Sequence, residues 1–422
     1  GVVRSRQGGT FNMNAGSISG ATINNQYSGT VLLDSGATMT MTGGSISGNS
    51  AKDQLNSSAG VTVCEGATFT MNGGEISNNT AFRGAGVLVF GGMNTSTYSS
   101  SSPATFIMEN GSISGNEVRD FSDGWSSDGP RAAGGGVYVQ ENAEFIMNGG
   151  SISNNTSTHQ GGGVATQCEN GDGGIFTMNG GTISGNSAVN GGGIYSYSKT
   201  VTLNAGHIEN NTAFGLGGGM YVSTNPYSIQ LGKALITGNH ADTMGGGIWS
   251  CPIGTIDFAD GNFAVYDNTA GGAGDDVAAL RKATNTITTL GSNMLGGGVM
   301  AWHKDGGINT GSLTGNEWGT VNNDPRYSEG DSRVTPPNGS QDSFSAKAIV
   351  TDDAKTLATA SATLFITGNT AKQGGGIGSN GVVSLPGDSV TTDSLKVKKV
   401  WVGEGTHPDS VIVQLIKTTD GN

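Results

Sequence analysis

Residues Phe176–Tyr195 read FTMNGGTISGNSAVNGGGIY, and most of the chain is a variation on this stretch. It holds three short apolar runs, Phe176-Thr177-Met178, Thr182-Ile183-Ser184 and Gly193-Ile194-Tyr195, separated by glycine and asparagine. Both separators tolerate the left-handed backbone that sharp corners need. Period-two alternation in such short runs is a strand signal, not a helix signal. Three short strands joined by three corners describe one turn of a coil. One turn cannot bury its own apolar face, so it must stack on copies of itself.

Working outward, the copies align on a central isoleucine at Ile18, Ile46, Ile76, Ile113, Ile152, Ile183, Ile208 and Ile236, with a weaker unit at Val265. Three residues later stand Asn49, Asn79, Asn116, Asn155, Asn186, Asn211, Asn239 and Asn268; the first unit has Ala21 instead. An apolar pair in alternation opens each unit, from Phe11/Met13 to Ile256/Phe258, and a glycine cluster followed by Val or Ile closes most of them. Spacing runs from 25 residues (Ile183 to Ile208) to 39 (Ile113 to Ile152). Constant strands with corner loops of variable length predict an all-β fold, a right-handed parallel β-helix (solenoid) of about nine or ten coils. The inward asparagines are assigned to a structural ladder, each amide donating to one neighbouring coil and accepting from the other. Repetition in every coil suits a ladder; chemistry needs one site.

The chain has 422 residues, of which 75 are Gly, 13% charged and 34% hydrophobic, with a net charge of −13. Glycines in register with apolar residues point to structure rather than disorder. The acidic balance argues against nucleic acid and against an anionic membrane surface. Cys64, Cys168 and Cys251 are scattered over different units, which is neither a disulfide framework nor a zinc site. No apolar run approaches the ~18 residues of a membrane-spanning helix. The chain starts at Gly1 and stops within a β-rich run, so it is read as a fragment lacking signal peptide and anchor.

The domain expectation is a repeat region over 1–276, an irregular excursion over 277–363, a closing coil over 364–390, and a separate, incomplete domain over 394–422. The closing coil restores the pattern with Ile366, Asn369 and Ile377, and is expected to cap the open end of the rod. Two insertions, 91–104 and 117–133, lengthen corners. The second concentrates Asp120, Asp123, Trp125, Asp128 and Arg131, a candidate ligand site on a loop of a rigid scaffold. Trp125 would stack on a sugar face, while the acids and Arg131 make polar contacts or hold a calcium ion; the alternative reading is a solvated loop with no ligand.

The repeated NGGxISGNxAxxGGG[VI] resembles the β-helix repeats of large surface proteins of Gram-positive bacteria and, more distantly, the repeats of chlamydial autotransporter adhesins. Residues 395–422 resemble the opening of a collagen-binding-protein B-type domain, a β-sandwich, through Lys399-Val400-Trp401 and Pro408-Asp409-Ser410. That resemblance implies that Lys399 is an isopeptide lysine whose partners lie beyond Asn422. A surface Lys in the KVKK run is the equally weighted reading. Together the resemblances imply a secreted, cell-wall-attached adhesin or stalk.

Parallel β-helices also host polysaccharide lyases and glycoside hydrolases, which need paired carboxylates, or an acid with a Lys/Arg base, in a groove. Glu65, Glu75, Glu144, Glu209 and Asp257 do not share a strand column, and the five histidines lack metal-ligand spacing. Asp275 and Asp276 with Arg281 and Lys282 form the best local cluster, explained by helix capping or ordinary solvation. The expectation is therefore a non-catalytic, monomeric rod with no catalytic residue, metal or cofactor. Its partner would be a host or dietary glycan or an extracellular matrix protein. The alternative is a carbohydrate-active enzyme with its groove along one strand column.

Overall fold

The computed structural model describes residues 2–25, 28–51, 57–91, 103–119, 133–140, 142–167, 173–224, 226–258, 261–280, 288–309, 319–336 and 343–385. The candidate residues Asp120, Asp123, Trp125, Asp128, Arg131 and Lys399, and the whole of 394–422, lie outside them. From the second turn on, a full turn has four strands rather than three. The turn that contains the opening stretch runs Ile175–Met178, Thr182–Ser184, Ser187–Ala188 and Ile194–Ser196. Stacked turns give four parallel faces, here called the Phe/Met, Ile, Ala and Val faces, in sheets of 11, 10, 9 and 13 strands. The molecule is an all-β parallel β-helix. The extra strand follows the ladder asparagine and in most coils is only a dipeptide, too short to show alternation. Its inward residue is small, as at Ala51, Ala81, Ala188 and Ala241, all buried.

Equivalent residues pair in register from coil to coil: Phe106 with Phe145, Ile113 with Ile152, Val137 with Val164. The rings of Phe69, Phe106, Phe145 and Phe176 therefore stack face to face at 4.9, 4.8 and 5.0 Å. Each fully buried ring removes enough apolar surface to contribute roughly 1.5–3 kcal/mol. The Met-Asn-Gly-Gly corner follows from the same stacking. A Cβ on Gly74, at φ +87°, would lie 2.6 Å from Met41 Cε of the coil below, so the methionine column needs a hole there.

The stack does not follow chain order throughout. Leu364–Thr367 pairs with Gly206–Glu209 on one side and Ala234–Thr237 on the other. The same holds on the other three faces for Thr370–Gln373, Ile377–Ser379 and Val382–Ser384. Residues 364–384 thus form a coil inserted between two earlier ones, and the expected closing role at the rod's end is corrected. The chain makes room by climbing two rungs across Gly232-Lys233, between Ser228–Leu231 and Ala234–Thr237. The inserted coil is an open ring whose mouth faces that crossing. Thr363 N and Leu364 N donate to Lys233 O at 3.0 and 3.1 Å where the ring begins. No threading is required.

The repeat also outlasts its expected boundary. Val277–Ala279 and Thr288–Leu290 continue the Val and Phe/Met faces in parallel register. Beyond them Phe344–Ile349 and Ala301–Lys304 add two antiparallel strands to the Val face. The helix Asp352–Ser361, with Thr351 at its N-cap, buries Ala354 and Ala358 beside the turn Leu295–Gly297 and leads into the inserted coil. These elements cover the last coil, where an open sheet edge would otherwise stand.

Candidate functional site

The asparagine series forms a continuous buried ladder. Asn79 Nδ2 donates to Asn116 Oδ1 at 2.9 Å and also to Ile46 O of the preceding coil at 3.0 Å. Asn79 N donates to the same Asn116 Oδ1 at 3.1 Å. The pattern repeats through Asn49, Asn116, Asn155, Asn186 and Asn211. It then passes to Asn369 of the inserted coil, back to Asn239, and on to Asn268. Every amide is saturated, so these residues hold corners. A second, exposed ladder, missed in the sequence, runs along the Asn that follows the Phe/Met strand: Asn204 to Asn179 at 2.8 Å and Asn179 to Asn148 at 2.9 Å.

The inner ladder ends on a carboxylate. Asn268 N and Nδ2 donate to Asp276 Oδ1 at 3.1 and 2.9 Å, and Ala348 N donates to Oδ2 at 2.7 Å. Burial pushes the Asp276 carboxyl up to about 7, against the pull of these hydrogen bonds. Next to it, Arg326 forms a bidentate pair with Asp305 at 2.6 and 2.8 Å and also binds Asp275. Lys347 Nζ reaches Asp275 Oδ2 at 2.8 Å. Burial raises the Asp305 carboxyl, but hydrogen bonds from Arg326 and from the Asp275 and Tyr327 amides outweigh it and hold it below its ordinary value. Asp275 and Asp276 are thus neither helix caps nor solvated. They pin the excursion onto the last coil, through cations that the sequence reading did not connect to them.

Among the described residues, two concavities bear on function. One, of about 620 Å³, lies beside the covered end and includes His303, Asp331 and Arg333. The other, of about 640 Å³, opens where the Ala face turns into the Val face, across the inserted coil and its two neighbours. There the flanking strands Thr212–Leu216 and His240–Met244 each carry a bulge relative to Thr370–Gln373. A bulge re-aims side chains, and here Phe214 points outward, 72% exposed. Val189 and Val321 extend the apolar wall. Asn380 lies at the lining, 6% exposed, and its Oδ1 has no hydrogen-bond partner. No carboxylate lines this groove among the described residues.

The described thiols are buried: desolvation pushes Cys64 up to about 12 and Cys251 up to about 11. Among the described residues no group of His, Cys, Asp or Glu is arranged to hold a metal ion, and no helix is long and apolar enough to cross a membrane. Arg119 N donates to Ala81 O at 3.0 Å and Ala133 is buried; residues 120–132 between them lie outside the described residues. No protein-family model, no curated protein and no solved structure matches the chain.

Proposed function

We propose that this chain is the rigid shaft of a secreted, cell-wall-attached adhesin that holds a glycan- or matrix-binding surface and carries out no chemistry of its own. The observation that carries the reading is the fate of its carboxylates. Asp275, Asp276 and Asp305 stand together at the end of the inner ladder, and each is consumed by Arg326, Lys347 or backbone amides. A glycosidase or lyase needs such groups free and facing a groove. The regular outward columns of Ser and Thr, the saturated asparagine ladder and the acidic net charge suit a solvated, inextensible spacer. Its corner loops, including 120–131, are the variable surface, and the B-type resemblance of 395–422 supports a further shaft module.

The test is an array of glycans and matrix proteins probed with the chain, run beside reducing-sugar and unsaturated-product assays on the same polysaccharides. Binding without turnover is expected, reduced by Trp125→Ala if loop 120–131 holds the ligand. Turnover above background removes the non-catalytic reading. Absence of binding to every arrayed molecule reduces the shaft to a passive spacer.

A further inference from the structure

The coil at 364–384 is held almost wholly by its two neighbouring rungs. Ile366 lies between Ile208 and Ile236, Ala371 between Ala213 and Ala241, Ile377 between Met220 and Ile248, and Val383 between Ile229 and Ile256. Asn369 accepts from Asn211 and donates to Asn239. Each of these is the general contact of the repeat, and none depends on which chain the rung comes from. The covalent tether is slight by comparison. The helix Asp352–Ser361 buries Ala354 and Ala358, leaves Leu357 50% exposed, and adds a partly exposed ion pair from Lys355 to Asp267. Only Ala362 and Thr363 separate it from the coil. Unpacked and extended, residues 350–363 would reach roughly 45 Å. Without its rung, the slot exposes two sheet edges on each of four faces, and open edges are templates for pairing. The segment that fits the slot is known, because the structure shows it seated there.

We infer that this slot is an exchange site for a second copy of the chain: residues 364–384 of one copy seat between the Ile208 and Ile236 rungs of another. Reciprocal exchange closes a two-fold dimer. No contact is lost inside the slot, so the choice between a chain's own rung and its partner's is set by concentration. A short tether presents its own rung at an effective concentration on the order of 1 mM, which crowded shafts can match and dilute chains cannot. The inference stands apart from the adhesin reading, since it needs neither a ligand nor a cell wall.

The experiment uses two single variants, His207→Cys and Phe365→Cys. These residues are register partners whose rings stack at 4.8 Å on the outer side of the Ile face, so a disulfide between them reports a seated rung. The two variants are unfolded, mixed, refolded together and oxidised; in the mixture that disulfide can form only between chains. A linked dimer is expected in roughly a tenth of the chains at ~100 µM, rising with concentration. It is expected to vanish when Ile366→Asp is added to the Phe365→Cys chain. In dilute solution the double variant, His207→Cys with Phe365→Cys, is expected to close within one chain. Dimer no more abundant than from either single variant alone overturns the exchange. An unchanged yield with Ile366→Asp does the same, because linkage then needs no seated rung. Failure of the double variant to close removes the seated rung, and the proposal with it. None of these outcomes touches glycan or matrix binding.

Discussion

The coils between Thr38 and Leu203 and the coils between Gly206 and Phe258 use the same side chains but differ in how the chain supplies them. In the first region each rung is followed by the next stretch of sequence: Asn116 and Asn155 are 39 residues apart. In the second, Asn211 donates to Asn369 across 158 residues, and Asn369 donates back to Asn239. Yet Ile366 stacks on Ile208 and Ile236 in the same register that joins Ile113 to Ile152. The lattice accepts any segment that carries the pattern, whatever its place in the chain. Magnitudes explain why. Closing a loop several times longer costs on the order of 1–2 kcal/mol more, whereas each large side chain the inserted coil buries, such as Leu364, Ile366, Ile377 and Val383, returns roughly 1.5–3 kcal/mol. Side-chain stacking decides the order of the rungs.

The comparison breaks most visibly at Ile366→Asp, which places an unpaired carboxylate between two isoleucines at a cost of roughly 3–5 kcal/mol. The inserted coil should leave, and limited proteolysis should then cut near Gly232 while fragments spanning 38–203 stay protected. Simultaneous loss of both regions would show that the two behave as one cooperative block. Phe106→Ala tests the uninterrupted region. Opening the ring column should cost about 3–5 kcal/mol, with hydrogen exchange rising first in the neighbouring rungs, as expected of a nearest-neighbour stack.

Asn155→Ala and Asn369→Ala sharpen it further. Each orphans ladder donors, at roughly 1–3 kcal/mol per stranded group. If the inserted rung is equivalent to a sequential one, urea midpoints should fall by similar amounts. A far larger loss for Asn369→Ala would mean that the inserted coil is held by its ladder bond more than by its core residues. The pH dependence tests the end of the ladder, at Asp276. Its folded-state carboxyl, near 7, lies above the ordinary 3.8. The folded chain therefore holds a proton that the unfolded chain has released, and this group's contribution declines as pH rises from about 4 to 7. Asp305, shifted downward, contributes the opposite way, losing stability as pH falls through its own lowered range. Subtracting the thermal midpoints of Asp276→Asn from those of the wild type should isolate a decline across pH 4 to 7, flat above it.

Much of the fold was legible because the Ile and Asn intervals repeat with little change while only the corners vary in length. The Ala strand was not, since two residues such as Ser187-Ala188 cannot show alternation. The position of 364–384 was equally hidden: its letters announce a coil, but nothing in them states which neighbours it joins, and the skipped rung at Gly232-Lys233 has no signature beyond a short corner. The partners of Asp275 and Asp305 were hidden for a related reason, since Arg326 and Lys347 sit in stretches without periodicity. Phe214 could have been noticed from the extra residue in TAFGLGGG relative to SAVNGGG. Asn380 could not, because an unpaired amide is a property of its surroundings.

Insertion of residues 364–384 between coils made more than a hundred residues earlier also bears on how such a chain leaves the ribosome or a translocon. A rod whose turns are added in order can wind from its amino end as it emerges, but this one must hold a berth open at Lys233 until a late segment arrives. Synthesis has to pass residue 384 before the distal third can lock, so termination ahead of that residue would unseat turns far upstream of the stop.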